Sequence, residues 1–116
     1  ALCIRKFTNM TESDWEIFKE IREKAMEKLS LRALSNISNI LNDDTSCPSE
    51  RCMEIDQLMK SHSSEMDSIF DNLSRSKAVF QLLQIRSKNL VDKNYLERLS
   101  AEFLDRTAPS ARAKNA

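Results

Sequence analysis

Glycine is absent from all 116 residues of the chain, where average usage would give about eight. Glycine supplies the positive-φ positions of tight hairpins and allows a backbone to approach phosphates closely. Its absence therefore excludes the Gly-rich loops of P-loop and dinucleotide-binding proteins. Proline is scarce as well, since Pro48 and Pro109 are the only two, and nothing between them must break a helix. Together these shortages predict an all-α fold.

The scarcity of cysteine, histidine and long apolar runs restricts the classes of function that the protein can have. The cysteines, Cys3, Cys47 and Cys52, are odd in number and do not suggest a disulfide framework. No apolar run approaches the roughly 18 residues that span a bilayer, and no signal-peptide pattern occurs. We therefore expect a soluble, cytoplasmic protein without membrane attachment. A single histidine, no glycine and no long loop leave little from which to build an active site, so we expect a non-enzyme without cofactor.

The first long helix is predicted over residues 12–41. Thr11 can cap it, with Asp14 at the capping-box position three residues later. Apolar residues then recur at a period near 3.6, as on the buried face of a globular helix. Further apolar residues widen this stripe, so we expect more than one neighbour to pack on it; they are Trp15, Met26, Leu31, Leu34 and Leu41.

A heptad pattern follows the loop at 42–48. Its a positions are Cys52, Met59, Met66, Leu73, Phe80 and Ser87, and its d positions are Ile55, His62, Ile69, Ser76, Leu83 and Leu90. Nine of these twelve are apolar, which is typical of coiled-coil packing. The serine-rich residues 73–77 weaken helix propensity, so we expect a break there.

The end of the chain carries a separate pattern. A last helix is predicted over 93–106 with Asp92 as its cap, followed by a disordered tail at 107–116. Residues 1–10 are predicted to form an N-terminal arm. The sequence thus predicts one domain, residues 1–106, folded as an antiparallel three- or four-helix bundle with a long first helix and a heptad-patterned second and third segment.

Charge is balanced overall but unevenly distributed. Residues 37–73 carry two basic against eight acidic residues, and residues 74–116 carry nine against four. Segments of opposite charge suit side-by-side packing, within the chain or across a dimer. A nucleic-acid-associated regulator using the basic last third is one alternative function. The pattern for it is weak, because few aromatics lie between the basic residues.

His62 allows several hypotheses. With Glu65 it forms a single His–Glu pair, so a metal- or small-ligand-binding bundle is a second alternative, although no Glu-x-x-His motif or second histidine exists. Phosphotransfer would require an exposed histidine, whereas the heptads place His62 on the packed seam. Protonation there could act as a pH switch. The interpretation we favour is a hydrogen-bonded polar residue that sets helix register.

The leading functional prediction is a helical protein–protein interaction module: a small adaptor, regulator or chaperone-like subunit. Five heptads of apolar residues exceed what a lone small bundle covers, so we expect a protein partner or self-association as a homodimer. The interface candidates are Trp15, Met59, His62, Met66, Ile69, Phe80 and Leu83.

Overall fold

Five helices make up the part of the chain that the structure, a computed structural model, describes: residues 10–109, within which no strand occurs. Their bounds are α1 Glu12–Leu41, α2 Pro48–Ile69, α3 Arg75–Ser87, α4 Lys93–Leu96 and α5 Ala101–Arg106. The predicted all-α class is confirmed, and α1, α2 and α3 pack against one another. Most of the predicted N-terminal arm (residues 1–9) and of the predicted tail (110–116) lies outside the described residues.

The start of α1 shows one predicted contact and one unexpected contact. The Thr11 hydroxyl accepts a hydrogen bond from the Asp14 amide at 3.0 Å, as predicted for the helix cap. The Asp14 side chain is 3% exposed, and its carboxylate accepts from the Ser100 amide at 2.9 Å and the Ser100 hydroxyl at 2.6 Å. Asp14 therefore fastens the start of α5 to the start of α1, a contact between residues 86 positions apart.

The predicted break after α2 is present, and it interrupts the heptad register. Residues 70–74 separate α2 from α3. Before the break, Ile69 is buried and His62 half-buried, whereas after it Phe80 is 62% exposed and Leu82 is fully buried. A change of direction resets which residues of the next helix face the core, so one register does not extend through both helices.

The predicted last helix over 93–106 is wrong as a single element. Residues 97–100 divide it into α4 and α5, because the Ser100 hydroxyl caps α5 by accepting from the Phe103 amide at 3.2 Å. The core also extends past the predicted boundary at 106. Thr107 is completely buried, and its hydroxyl donates to the Phe103 carbonyl at 2.8 Å.

Arginine side chains bind carbonyls at four helix ends, where glycine-containing caps would otherwise be common. Each donates to a carbonyl at or just beyond the end of a different helix. The pairs are Arg51 with Leu41 at the end of α1, Arg22 with Phe70 after α2, Arg32 with Lys88 and Asn89 after α3, and Arg86 with Leu104 in α5. Burial lowers the pKa of the Arg86 guanidinium from its ordinary value.

Asn89 takes the position after α3 that glycine usually occupies. Its φ is 56°, in the left-handed region, and the Leu90 amide reaches the Ile85 carbonyl at 3.0 Å while the Asn89 amide reaches Arg86 at 3.1 Å. These are the two hydrogen bonds of a Schellman motif, and asparagine is the residue that best replaces glycine there.

We expect Asn89→Ala to lower the free energy of unfolding by about 1 kcal/mol, because alanine tolerates positive φ less well than asparagine. Asn89→Gly should keep wild-type stability or exceed it. Urea denaturation followed by circular dichroism measures both, with Asn94→Ala on exposed α4 as the control. Equal stability of the Asn89→Ala and Asn89→Gly variants would contradict the proposed backbone constraint.

Helices α3, α4 and α5, together with the first half of α1 and the end of α2, are called here the body of the molecule. Helices α3 to α5 cover only half of the α1–α2 pair. Helix α3 packs on the first half of α1 and on the end of α2, through contacts such as Arg22 with Gln81. The start of α5 is held against the start of α1 by Asp14 with Ser100. Beyond Ala33, α1 contains no buried residue, and α2 contains none before Ile69. Residues 33–60, called here the distal hairpin, therefore contain parts of two antiparallel helices against which none of the other described helices packs.

Candidate functional site

An open cleft of about 430 Å³ lies where α1, α2 and the end of α3 meet. The helices that form it are antiparallel, since Arg51 near the start of α2 reaches Leu41 at the end of α1, and Arg22 in α1 reaches Phe70 just after α2. Its polar lining consists of Arg32, Asn36, Ser61, His62, Glu65 and Lys88.

His62 and Glu65 both line this cleft, as their spacing on one helix requires. Glu65 forms an ion pair with Lys88 at 2.9 Å, and Arg32 donates to the backbone carbonyls of Lys88 and Asn89 at 2.8 Å each. The half-buried His62 ring has no hydrogen bond or ion pair with any residue between 10 and 109. The hydrogen-bonded role predicted for it is therefore not seen within one chain.

The cleft offers little of the geometry that metal binding or nucleophilic catalysis requires. Within the described range, no three His, Cys, Asp or Glu side chains cluster so as to hold a metal ion. Zinc sites use three or four protein ligands, whereas His62 has one acidic neighbour, and Lys88 already neutralises it. Cys47 and Cys52 are free and exposed near the start of α2.

The loop between α1 and α2 is held by Asp43. Its carboxylate accepts from the Thr45 hydroxyl and the Thr45 amide. These hydrogen bonds, the hydroxyl first, lower the pKa of Asp43 from its ordinary value. They therefore support the loop above the unfolded pKa of Asp43 and are lost as the pH falls through its lowered folded value. The tip of the distal hairpin remains negatively charged at neutral pH.

The structure does not gather the predicted interface residues onto one surface. Ile69 is buried, and Met66 and Leu83 are half-buried. Trp15 stacks on Phe18 with 5.9 Å between ring centroids and is flanked by the cations of Lys19 and Arg75. Of the remaining three, His62 lines the cleft, Met59 is 41% exposed on the distal hairpin, and Phe80 is exposed on α3.

An apolar face of the distal hairpin lies on the side away from the cleft. It comprises Leu34, Ile37 and Leu41 of α1 with Cys52 and Met59 of α2. Leu34 directly follows Ala33, which lines the cleft, and Leu41 lies seven residues further along the same side of α1. On α2, Met59 likewise directly follows Leu58, which also lines the cleft. The same one-residue offset on two antiparallel helices turns side chains to the same side of the pair.

Large apolar residues are exposed on this face and also outside it, at Leu31, Met53 and Phe80. Leu34 is 59% exposed, Leu41 56% and Met59 41%. Scattered exposed apolar residues are ordinary, but contiguous ones mark interaction surfaces. The sequence indicated this only indirectly, because Leu34 and Leu41 widen the apolar stripe of α1 beyond what one neighbouring helix can cover.

The basic last third of the chain is largely engaged within the fold. Lys77 and Lys88 pair with Asp71 and Glu65 of the acidic middle segment at 3.1 and 2.9 Å, which matches the predicted side-by-side packing of opposite charges. Two further pairs reach α1, Arg75 with Glu12 and Arg98 with Glu20. Each of these four cations is thus engaged in an ion pair that joins two segments of the fold.

None of the described helices is long and apolar enough to span a bilayer. Comparison of the chain with protein-family models, with curated proteins and with solved structures gave no significant match.

Proposed function

We propose that this protein is a non-enzymatic helical interaction module, of the adaptor, regulator or chaperone-subunit kind, that docks a protein partner or a second copy on its distal hairpin. One observation carries the proposal: Leu34, Leu41 and Met59 are 41–59% exposed on a helix pair that no other helix within residues 10–109 covers. Most helical stability in proteins comes from tertiary packing of an apolar face. A third helix placed on this face would supply that packing.

The geometry suits a helix as the docked element. Two antiparallel helices present a groove between them, and a third helix packs into such a groove at the usual interaxial distance of about 8–10 Å. The exposed thiols of Cys47 and Cys52 lie at the tip of the same hairpin. Free thiols fit the reducing, cytoplasmic location expected from the sequence, which forms part of this proposal.

A photocrosslinking amino acid at position 34 or 59 tests the proposal in an extract of the cells from which the chain comes. We expect one discrete adduct from each position and none from position 105 on the exposed side of α5. The Leu41→Ser variant should abolish the adduct, because it removes part of the same apolar face. Equal crosslinking from all three positions would contradict a docking face on the hairpin.

The alternative of a metal- or small-ligand-binding bundle stays a prediction centred on His62. Among the described residues that line the cleft, Arg32, Glu65 and Lys88 form hydrogen bonds or ion pairs, whereas the His62 ring forms neither. If this alternative is correct, Zn²⁺ titrated into the purified protein should bind and His62→Ala should abolish the binding heat. If the interaction module is correct, wild type and His62→Ala should give the same calorimetric trace. Equal traces would remove the alternative.

A further inference from the structure

The distribution of unpaired carboxylates around the apolar face specifies its partner more closely. Among the described residues, the carboxylates of the body that pair with cations include Glu12, Glu65, Asp71 and Asp92. Other carboxylates form no ion pair among the described residues, both on the body, at Glu97 and Asp105, and around the apolar face. No ion pair forms at Glu23, Glu27, Asp44 or Glu54 within residues 10–109, so these charges remain available to a partner.

These charges lie at both ends of the apolar face. Along α1, Glu23, Glu27, Ser30, Leu34, Ile37 and Leu41 follow one another at spacings of three and four residues, which places them on one stripe of the helix. Asp43 and Asp44 follow in the loop directly after α1. From the body to the tip of the hairpin, the stripe therefore carries acidic residues first, then apolar residues, and then the acidic residues of the loop.

The basic residues of this region are few and mostly engaged. Residues 33–60 contain five carboxylates and only two basic residues, Arg51 and Lys60. Arg51 binds the Leu41 carbonyl at 2.8 Å and Lys60 pairs with Asp56 at 3.0 Å. Lys24 lines the same surface depression as Glu23 and Glu27, but it forms no ion pair with either of them.

From this arrangement we infer that the distal hairpin recognises a basic amphipathic helix: a partner segment of about five turns with apolar residues in the middle and Lys or Arg at both ends. This deepens the proposed function and rests on it. The apolar residues of the partner helix would pack between α1 and α2, as in helix-in-groove recognition. Its basic ends would meet Glu23 and Glu27 on one side and the acidic loop on the other.

A second copy of the chain is a poorer occupant of the same face. Each copy would bring its own net negative hairpin, and like charges across an interface oppose association.

Three synthetic helical peptides of about 18 residues test the inference directly. They share one leucine stripe and differ only in their flanking residues, which are Lys, Gln or Glu. We expect the full chain to bind the Lys peptide at least about tenfold more tightly than the Glu peptide at low salt, with the difference shrinking at high salt. Fluorescence anisotropy of labelled peptides gives the dissociation constants.

Two sets of variants localise the binding. Leu34→Ser with Leu41→Ser should abolish binding of all peptides, while the matched pair Leu73→Ser with Phe80→Ser, also exposed but on the body, should leave it unchanged. Glu23→Gln, Glu27→Gln and Asp44→Asn together should remove the preference for Lys flanks. Glu97→Gln, Glu102→Gln and Asp105→Asn, three exposed carboxylates on the body, should not.

The outcomes separate the inference from the function on which it rests. If the three peptides bind equally, or the Glu peptide binds best, the partner class is wrong while the docking face stands. A dimer seen by sedimentation equilibrium and lost in Leu34→Ser with Leu41→Ser would also replace the basic helix with a second copy. If no peptide binds and the chain sediments as a monomer at all concentrations, both proposals fail.

Discussion

Replacement of Arg22 by alanine is expected to lower the free energy of unfolding by about 2–3 kcal/mol. The guanidinium donates to the Phe70 carbonyl at 2.9 Å and to the Gln81 side-chain oxygen at 3.3 Å, and it lies 5.7 Å from the centre of the Phe70 ring. Gln81 is only 3% exposed. Without Arg22, its oxygen and the Phe70 carbonyl lose a charged donor at the corner where α2 turns into α3.

Two further variants test the hydrogen bonds of Arg22 separately from its bulk. Arg22→Met keeps the apolar stem and should still lose about 2 kcal/mol, because the donor nitrogens are absent. Arg98→Ala breaks an exposed ion pair with Glu20 at 3.1 Å and a cation–π contact with the Tyr95 ring, and it should cost less than about 1 kcal/mol. Urea denaturation measures all three. A loss for Arg22→Ala no larger than that for Arg98→Ala would show that the α2–α3 corner does not depend on Arg22.

Asp14→Ala is expected to have an effect of similar size, about 2–3 kcal/mol. The buried carboxylate accepts two hydrogen bonds from Ser100, and its loss leaves the Ser100 amide without that acceptor at the start of α5. Since the two residues are 86 positions apart, the contact holds the C-terminal segment against α1. Hydrogen–deuterium exchange should therefore show that Asp14→Ala speeds the exchange of the α5 amides, relative to wild type, more than that of the α2 amides.

A double-mutant cycle isolates this contact. Asp14→Ala, Ser100→Ala and the double variant should show a coupling free energy of about 1–2 kcal/mol. Glu16→Ala is the control, because Glu16 lies on the exposed side of the same helix and pairs only with Lys19. Additive losses at positions 14 and 100 would mean that the two side chains stabilise the fold independently.

Sequence reasoning predicted the elements that depend on local chemistry. The bounds of α1 follow from the Thr11 cap and from the polar residues after Leu41, and the start of α2 follows from Pro48 at its first position. The division of 93–106 into two helices was not predicted. The residues around Ser100 are all compatible with a helix, so the sequence contains no local signal for a break there. Ser100 is held in its capping position by hydrogen bonds to Asp14, which is distant in sequence.

The candidate site was predictable only in part. The apolar residues that form it could be identified in the sequence, since Leu34, Leu41 and Met59 lie at helical spacings. The heptad pattern led to candidates along one continuous seam, yet the turn at 70–74 separates Met59 from Phe80 and leaves them on different parts of the molecule. Which apolar residues stay exposed depends on where neighbouring helices end, and apolar periodicity alone does not contain that information.

The sequence by itself determined the fold class, the first helix and the exclusion of glycine-dependent sites, because these rest on backbone conformation and local spacing. Tertiary structure alone decided that arginines bind the helix-end carbonyls, that Asp14 holds α5, and that α3 to α5 cover only half of the α1–α2 pair. Each of these depends on contacts between residues far apart in the chain, whose energies become available only after the helices pack. The exposed hairpin with its unpaired carboxylates is a consequence of that packing.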